Sequence, residues 1–358
     1  MKINFVLPGN EDVVAGGYKV IYQYANQLVM RGNEVVISFV YSPRFYHNNF
    51  VRSMKFLGAS AGIFRKNKEQ VTWYPLSDKI ILDFNVVIPK HLKDADVLVA
   101  TGVETSYFIA NAPGSKGNKF YFIQNYETWV NGREFADKSF CLGLHNVVIA
   151  TWLQKLVQNL SGIKPPIVPN FLETKFFSPN TEIEHRGHTV ALLNHAEPSK
   201  RTAFGLQILE KLRTKIPDLE VNLFGVWEMP EKLPTWVHTF RNPSQLTLRD
   251  DIYGGSCVYL LPSLLEGWSL TGMEAMISGA VVVASDIGGV KDYVIDNQTG
   301  LLVKPDNLDG FVTAIENVFF DEELHKKLVR NGVNTILALS IERSTTKLCQ
   351  VFEEVGKK

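Results

Sequence analysis

Two uninterrupted apolar runs, CVYLLPS at 257–263 and AVVVASD at 280–286, flank a stretch with room for one short helix, and no other feature constrains the fold as tightly. A strand that is apolar at every position has no solvent face, so both runs require a parallel sheet with helices packed on each side. Pro262 stops the first run. Thr271 is placed to cap the helix, Gly272 to Met276 fill its first turns, and Gly279 stands where a helix closes in a left-handed residue. Glu266 then falls on the loop at the carboxyl end of a strand, and Glu274, eight positions on, in the first turn of the helix. Ligands bind at that edge of open parallel sheets. Thr271 and Glu274 also fit a capping box, in which the carboxylate meets only its own helix, and Glu266 also fits a solvated loop.

The same alternation runs along the chain. INFVLP (3–8), VVISFV (35–40), VLVATG (97–102), FYFIQN (120–125) and VVIAT (147–151) read as buried strands, as do TVALLN (189–194), VNLFGV (221–226), CVYLLP (257–262) and VVVASD (281–286). Val20, Tyr24 and Leu28 recur at helical spacing ahead of Gly32, and 202–216 is a further helical stretch. This is an α/β pattern of two doubly wound units in tandem, divided at the proline-rich IKPPIVPN (163–170). A chain of 358 residues is long enough for two such cores.

Composition removes several alternatives. Cys141, Cys257 and Cys349 show no paired spacing, so neither a disulfide framework nor a zinc site is indicated, and a reducing cytoplasm fits. The apolar start is too short for a signal peptide, and no segment approaches 18 apolar residues, so the expectation is a soluble or peripherally bound protein. Residues 1–168 carry 18 basic and 12 acidic side chains, and residues 169–358 carry 19 and 25. The positive excess gathers in residues 44–68, where Arg44, Arg52, Lys55, Arg65, Lys66 and Lys68 alternate with aromatics and no acid intervenes. That segment suits contact with an anionic membrane or acceptor, and equally a solvated loop with its aromatics tucked inward. No nucleic-acid module accompanies it. Dinucleotide and P-loop fingerprints are missing too, since GSKGNK (114–119) fails the latter pattern.

Glu266, seven residues and Glu274, continuing through EAMISGAVVVASDIGGVKDYVIDNQTGLLVKP (274–305), resemble the donor site of retaining GT-B glycosyltransferases. The likeness is to the large group 1, family 4-like set that includes bacterial capsule, lipopolysaccharide and cell-wall enzymes. LPGN (7–10), AGGYKVIYQYANQLVMRGNEVVI (15–37), KFYFIQNYETWV (119–130), IVPNFLETKFFSP (167–179) and HAEPSKRTAFGL (195–206) follow that family's order, so nearly the whole chain is covered. The resemblance implies a GT-B fold, two Rossmann-like doubly wound domains facing across a cleft. Residues 1–168 would bind the acceptor and 169–339 the nucleotide-sugar donor, with 340–358 as a helix crossing back to the first domain.

It further implies roles for individual residues. Lys200 would neutralise the leaving diphosphate, with His195 or Arg201 as second cation, because His195 stands where relatives commonly carry arginine. Glu266 would hold donor-sugar hydroxyls and Glu274 ribose hydroxyls, with Ser269, Leu270 and Thr271 offering the helix start to the phosphates. Phe240 to Asn242 would seat the base. On the acceptor side, Gly16 and Gly17 occupy the loop after the first strand and Asn125 and Glu127 follow a strand end, Asn125 standing near where many relatives have histidine. Trp129 fits either a sugar-stacking ring or a core position, the latter slightly favoured. The implied activity is retaining transfer of a hexose or deoxyhexose from a UDP, GDP or dTDP sugar to a glycan or lipid-linked acceptor, without metal or other cofactor, in bacterial surface polysaccharide assembly at the inner face of the membrane. A sugar-nucleotide epimerase and a non-catalytic partner subunit share the fold and remain open.

Overall fold

The computed structural model describes residues 1–10, 12, 14–41, 69–173, 177 and 186–356. The basic segment 44–68 lies outside the described residues. The chain parts into two units, residues 1–170 with 341–358, and residues 171–340.

The first unit is built on β1 (Lys2–Leu7), β2 (Glu34–Val40), β3 (Ile81–Val86), β4 (Val97–Ala100), β5 (Asn118–Ile123) and β6 (His145–Val148). Among the described residues they form one six-stranded sheet in the order β3-β2-β1-β4-β5-β6, every pair parallel. The apolar runs read from the sequence are these strands, and β1 and β4 are buried almost throughout. β3 escaped that reading because it is an edge strand, partly exposed along most of ILDFNV and joined to β2 through a register shift between Ser38 and Val40. An edge strand needs no continuous apolar run. Helix α1 (Gly16–Met30) buries Val20, Tyr24 and Leu28 as their spacing requires, and Gly32 follows it at φ +80. Helices α2 (Val103–Ala110), α3 (Arg133–Ser139) and α4 (Thr151–Ser161) complete the crossovers.

The second unit repeats the plan with β7 (Thr189–Leu193), β8 (Glu220–Gly225), β9 (Val237–Arg241), β10 (Val258–Leu261), β11 (Val281–Ser285) and β12 (Leu301–Val303). Their order, β12-β11-β10-β7-β8-β9, places β7 against β10 in the middle, with Val190 beside Val258 and Leu192 beside Leu260. Its helices are α5 (Thr202–Arg213), α6 (Leu270–Ile277), α7 (Leu308–Phe320) and α8 (Glu322–Ala338). Asn307 caps α7 through Gly310 N at 3.0 Å, and Asp321 caps α8 through Leu324 N at 2.9 Å. β12 has only three residues, too few to carry a pattern, and was not foreseen.

The last helix, α9 (Ile341–Gly356), belongs to the first unit. Arg31, at the end of α1, donates to Glu342 O at 2.7 Å and to Thr346 Oγ1 at 2.9 Å. Ser344 donates to Pro169 O at 2.8 Å, and Phe352 meets Phe120 edge-on with ring centroids 4.9 Å apart. Phe352 is 2% exposed. Phe352→Ala is therefore expected to destabilise this unit by about 3–5 kcal/mol, read as a lowered denaturant midpoint for its unfolding transition.

Candidate functional site

In the second unit the chain runs outward in both directions from β7 and β10, so the connections leaving their carboxyl ends diverge, the position at which open α/β sheets bind ligands. The connection after β7 carries His195, Lys200 and Arg201, and the one after β10 carries Glu266, Ser269, Leu270 and Thr271. Leu264 N donates to Ser199 O at 2.7 Å and ties the two together. At Gly289 an added Cβ would lie 2.0 Å from Gly267 O, so only glycine lets the turn after β11 press against the Glu266 loop.

Helix α6 begins at Leu270, with Ser269 at φ +73 as its N-cap residue. Thr271 is thus inside the first turn and cannot be the cap expected from the sequence, and Glu274 moves to the second turn. The reason is tertiary. Tyr293 donates to Ser269 O at 3.1 Å, and Tyr259 donates to Thr271 Oγ1 at 2.9 Å, fixing the helix start from neighbouring elements. The leading amides of α6, Leu270 and Thr271 among them, have no carbonyl one turn earlier to bond. Gly279, at φ +87, closes the helix as expected, and the buried Arg186 donates to Ser278 O at 2.8 Å on the same end.

The Lys200 ammonium lies 2.8 Å from both carboxylate oxygens of Glu266, and Ser263 donates to Glu266 Oε1 at 2.8 Å. Glu274 is buried and accepts from the Tyr253 hydroxyl at 3.3 Å. Burial holds the Tyr253 phenol well above its ordinary range, so it remains a donor. Ser263 and Tyr253 were not singled out from the sequence. Ser263 precedes Glu266 by three residues, but Tyr253 lies on the helical turn Leu248–Tyr253, and no local signal connects it with Glu274.

The two candidates for a second cation separate. His195 accepts a hydrogen bond at Nδ1 from Glu197 N at 2.9 Å, which occupies the lone pair a proton would need. Burial, then the nearby Lys200 charge, hold its pKa below the ordinary value, against weaker pulls from Glu197 and Glu266. At neutral pH His195 is a neutral Nε2–H donor, as its Nδ1 acceptor role requires. Arg201 pairs with Asp306 at 2.6 Å and lies over the Phe204 ring at 3.8 Å, while its Nη1 is buried without a hydrogen-bond partner among the described residues. Phe240 lies in β9 itself rather than in the loop after it, and Asn242, at φ +50, follows the strand and donates its N–H to Gly225 O at 2.7 Å. Trp227, after β8, is 48% exposed and meets His195 edge-on at 5.8 Å.

In the first unit, Gly16 and Gly17 are the first residues of α1 and not loop residues. Gln124 donates to Gly17 O at 3.2 Å, and an added Cβ at Gly17 would lie 3.4 Å from the Gln124 amide nitrogen. Asn125 accepts from Tyr126 N at 2.8 Å, and Glu127 accepts from Val103 N at 2.6 Å, serving the amino end of α2. Trp129 is 57% exposed, against the core position expected for it, because it lies in the turns after β5 and not on a packed helix face. Among the described residues no cluster of metal-ligating side chains occurs, and no helix is long and apolar enough to cross a membrane.

Residues 174–335 match the family model of glycosyl transferases group 1. The phosphatidyl-myo-inositol mannosyltransferase of Mycolicibacterium smegmatis is 27% identical over 202 residues, covering 53% of this chain and 52% of that protein. The chain thus matches about half the length of that curated relative. The solved structure of Anabaena HepE with UDP-glucose superposes with a TM-score of 0.73 at 12% identity, covering 98% of this chain and 100% of that one. Sucrose-phosphate synthase from Thermosynechococcus elongatus superposes with a TM-score of 0.71 at 15% identity, covering 99% of each chain.

Because His195 is held neutral, acidification favours the unfolded chain, whose histidine takes up a proton near its ordinary value of about 6.5. His195→Gln is expected to lose less stability than the wild type between about pH 7 and about pH 5, measured by denaturant unfolding at each pH.

Proposed function

We propose that this protein is a retaining glycosyltransferase acting on a nucleoside-diphosphate sugar, a reading supported by the match of residues 174–335 to the glycosyl transferases group 1 model and by the GT-B fold. The observation that carries the reading is the meeting of Lys200, Glu266 and the amino end of α6 at the divergence of β7 and β10. Cleaving the bond between an anomeric carbon and a diphosphate builds negative charge on the departing phosphate. Lys200 and the α6 amides supply fixed positive charge for it without a metal ion, and His195 adds a neutral hydrogen bond. Glu266 takes hydroxyls of the donor sugar and Glu274, steadied by Tyr253, takes those of the ribose. Ser269 and Thr271 order the turn that presents the amides, and Phe240 and Asn242 mark the strand end where the base is seated. Arg201 serves through Asp306 and Phe204 to hold the loop rather than as a second phosphate cation.

The acceptor hydroxyl attacks from the face that the diphosphate leaves. Its oxygen bonds the anomeric carbon as the carbon–phosphate oxygen bond breaks, and its proton passes to the departing phosphate. Neither glutamate forms a covalent bond. In the first unit, Gly16 and Gly17 at the start of α1, with Asn125 and Glu127 after β5, are assigned to the acceptor, a glycan or lipid-linked saccharide of bacterial surface polysaccharide assembly. The donor sugar is a hexose or deoxyhexose carried on UDP, GDP or dTDP. Residues 44–68 give such an enzyme a basic segment for the inner face of the membrane.

Calorimetric titration with UDP, GDP, ADP and dTDP, followed by the matching sugar nucleotides with an assay for slow donor hydrolysis, tests the proposal. One nucleotide should bind tightly and its sugar conjugate should hydrolyse; if none of the four binds, the donor site is misassigned. Glu274→Ala should weaken nucleotide binding by about tenfold or more, the scale of losing a hydrogen bond to a charged group. Its thermal midpoint should fall by only a few degrees, the scale of leaving the buried Tyr253 hydroxyl without this acceptor. A lowered midpoint with unchanged affinity would mean that Glu274 serves the helix alone.

A further inference from the structure

The two groups assigned to the diphosphate and to the sugar of the donor are each other's partner in the free protein. Lys200 Nζ touches both oxygens of Glu266 at 2.8 Å, and Ser263, almost fully buried, donates to one of them at the same distance. The Glu266 side chain is 5% exposed and that of Lys200 25%. A carboxylate so enclosed resists losing its counter-ion, because removing one partner of a buried pair strands the other charge.

Building on the donor-site reading, we propose that Lys200 and Glu266 form an exchangeable pair that makes the site select the intact nucleotide-sugar over the nucleoside diphosphate left after transfer. An intact donor replaces both halves of the pair at once, its diphosphate taking Lys200 and its sugar hydroxyls taking Glu266. The product offers phosphate alone. When it draws Lys200 away, Glu266 is left buried with the Ser263 hydroxyl as its remaining donor, so product binding carries a penalty that donor binding does not. After the sugar has moved to the acceptor, Glu266 takes Lys200 back and the diphosphate is released. Ser263 is a positioning residue in this scheme, holding the carboxylate in place whichever partner it has.

Glu266→Gln separates these effects, since the amide oxygen still accepts from Ser263 while the charge that holds Lys200 is gone. The full chain and its Glu266→Gln and Ser263→Ala variants are titrated calorimetrically with UDP, GDP, ADP and dTDP and with the glucose conjugate of each, and thermal unfolding is recorded alongside. For the nucleotide that the wild type binds, Glu266→Gln should bind the free diphosphate about tenfold more tightly, the scale of freeing a hydrogen-bonded charge, and should bind the sugar conjugate no more tightly. The preference for donor over product therefore collapses. Ser263→Ala, which removes the hydroxyl that holds Glu266 once Lys200 is drawn away, should shift product affinity in the opposite direction. Unchanged or weaker diphosphate binding by a folded Glu266→Gln, with the wild type binding normally, overturns the exchange. Failure of all four nucleotides to bind the wild type overturns the donor-site reading and the inference with it.

Discussion

His195, Lys200, Arg201 and Glu266 are placed by the parallel pairing of β7 with β10, since the connections leaving these two strands carry them. Parallel strands need a crossover to return to the same end, and crossovers of one hand carry the chain to opposite sides once its direction along the sheet reverses. The reversal falls between these two strands, and the connections leaving them cannot close over one another. Their buried valines and leucines keep the ladder rigid, and that rigidity gives the loops above it a fixed geometry. The first unit repeats the order, with β1 beside β4 and the glycine-led start of α1 after β1.

On that frame the electrostatics are decided by burial. A lysine and a glutamate at a surface would contribute little to each other. Here the glutamate is enclosed, and Ser263 shares its charge. The same enclosure turns His195 from a candidate cation into a neutral donor, since burial and the Lys200 charge both oppose its protonation. Arg201 pairs with Asp306. Of the three basic side chains after β7, Lys200 is the one held by Glu266 beside the start of α6.

Local pattern made much of this legible. The strands with unbroken apolar runs, the burial stripe of α1, the closure of α6 at Gly279 and the placement of Glu266 after a strand all follow from period, length and backbone freedom. What pattern missed is equally specific. β3 is an edge strand with a half-exposed face, and β12 is three residues long. The start of α6 was misplaced because Thr271 is a good capping residue by type, while Tyr259 and Tyr293 hold the turn so that Ser269 takes the cap position. Gly16 and Gly17 read as loop because glycine is poor in helices, yet a helix start tolerates it.

The sequence by itself determined the two-unit α/β plan, the strands buried on both faces and the placement of Glu266 after β10 and Glu274 in the helix that follows, because those depend on spacing between neighbours in the chain. Only the tertiary structure decided which groups answer one another. The Lys200 partnership with Glu266 joins residues 66 positions apart, and the Tyr253 hydroxyl reaches Glu274 across 21. Whether a histidine is charged, or an arginine is already engaged, depends on burial and on partners brought from distant segments, and no local pattern of residues carries that information.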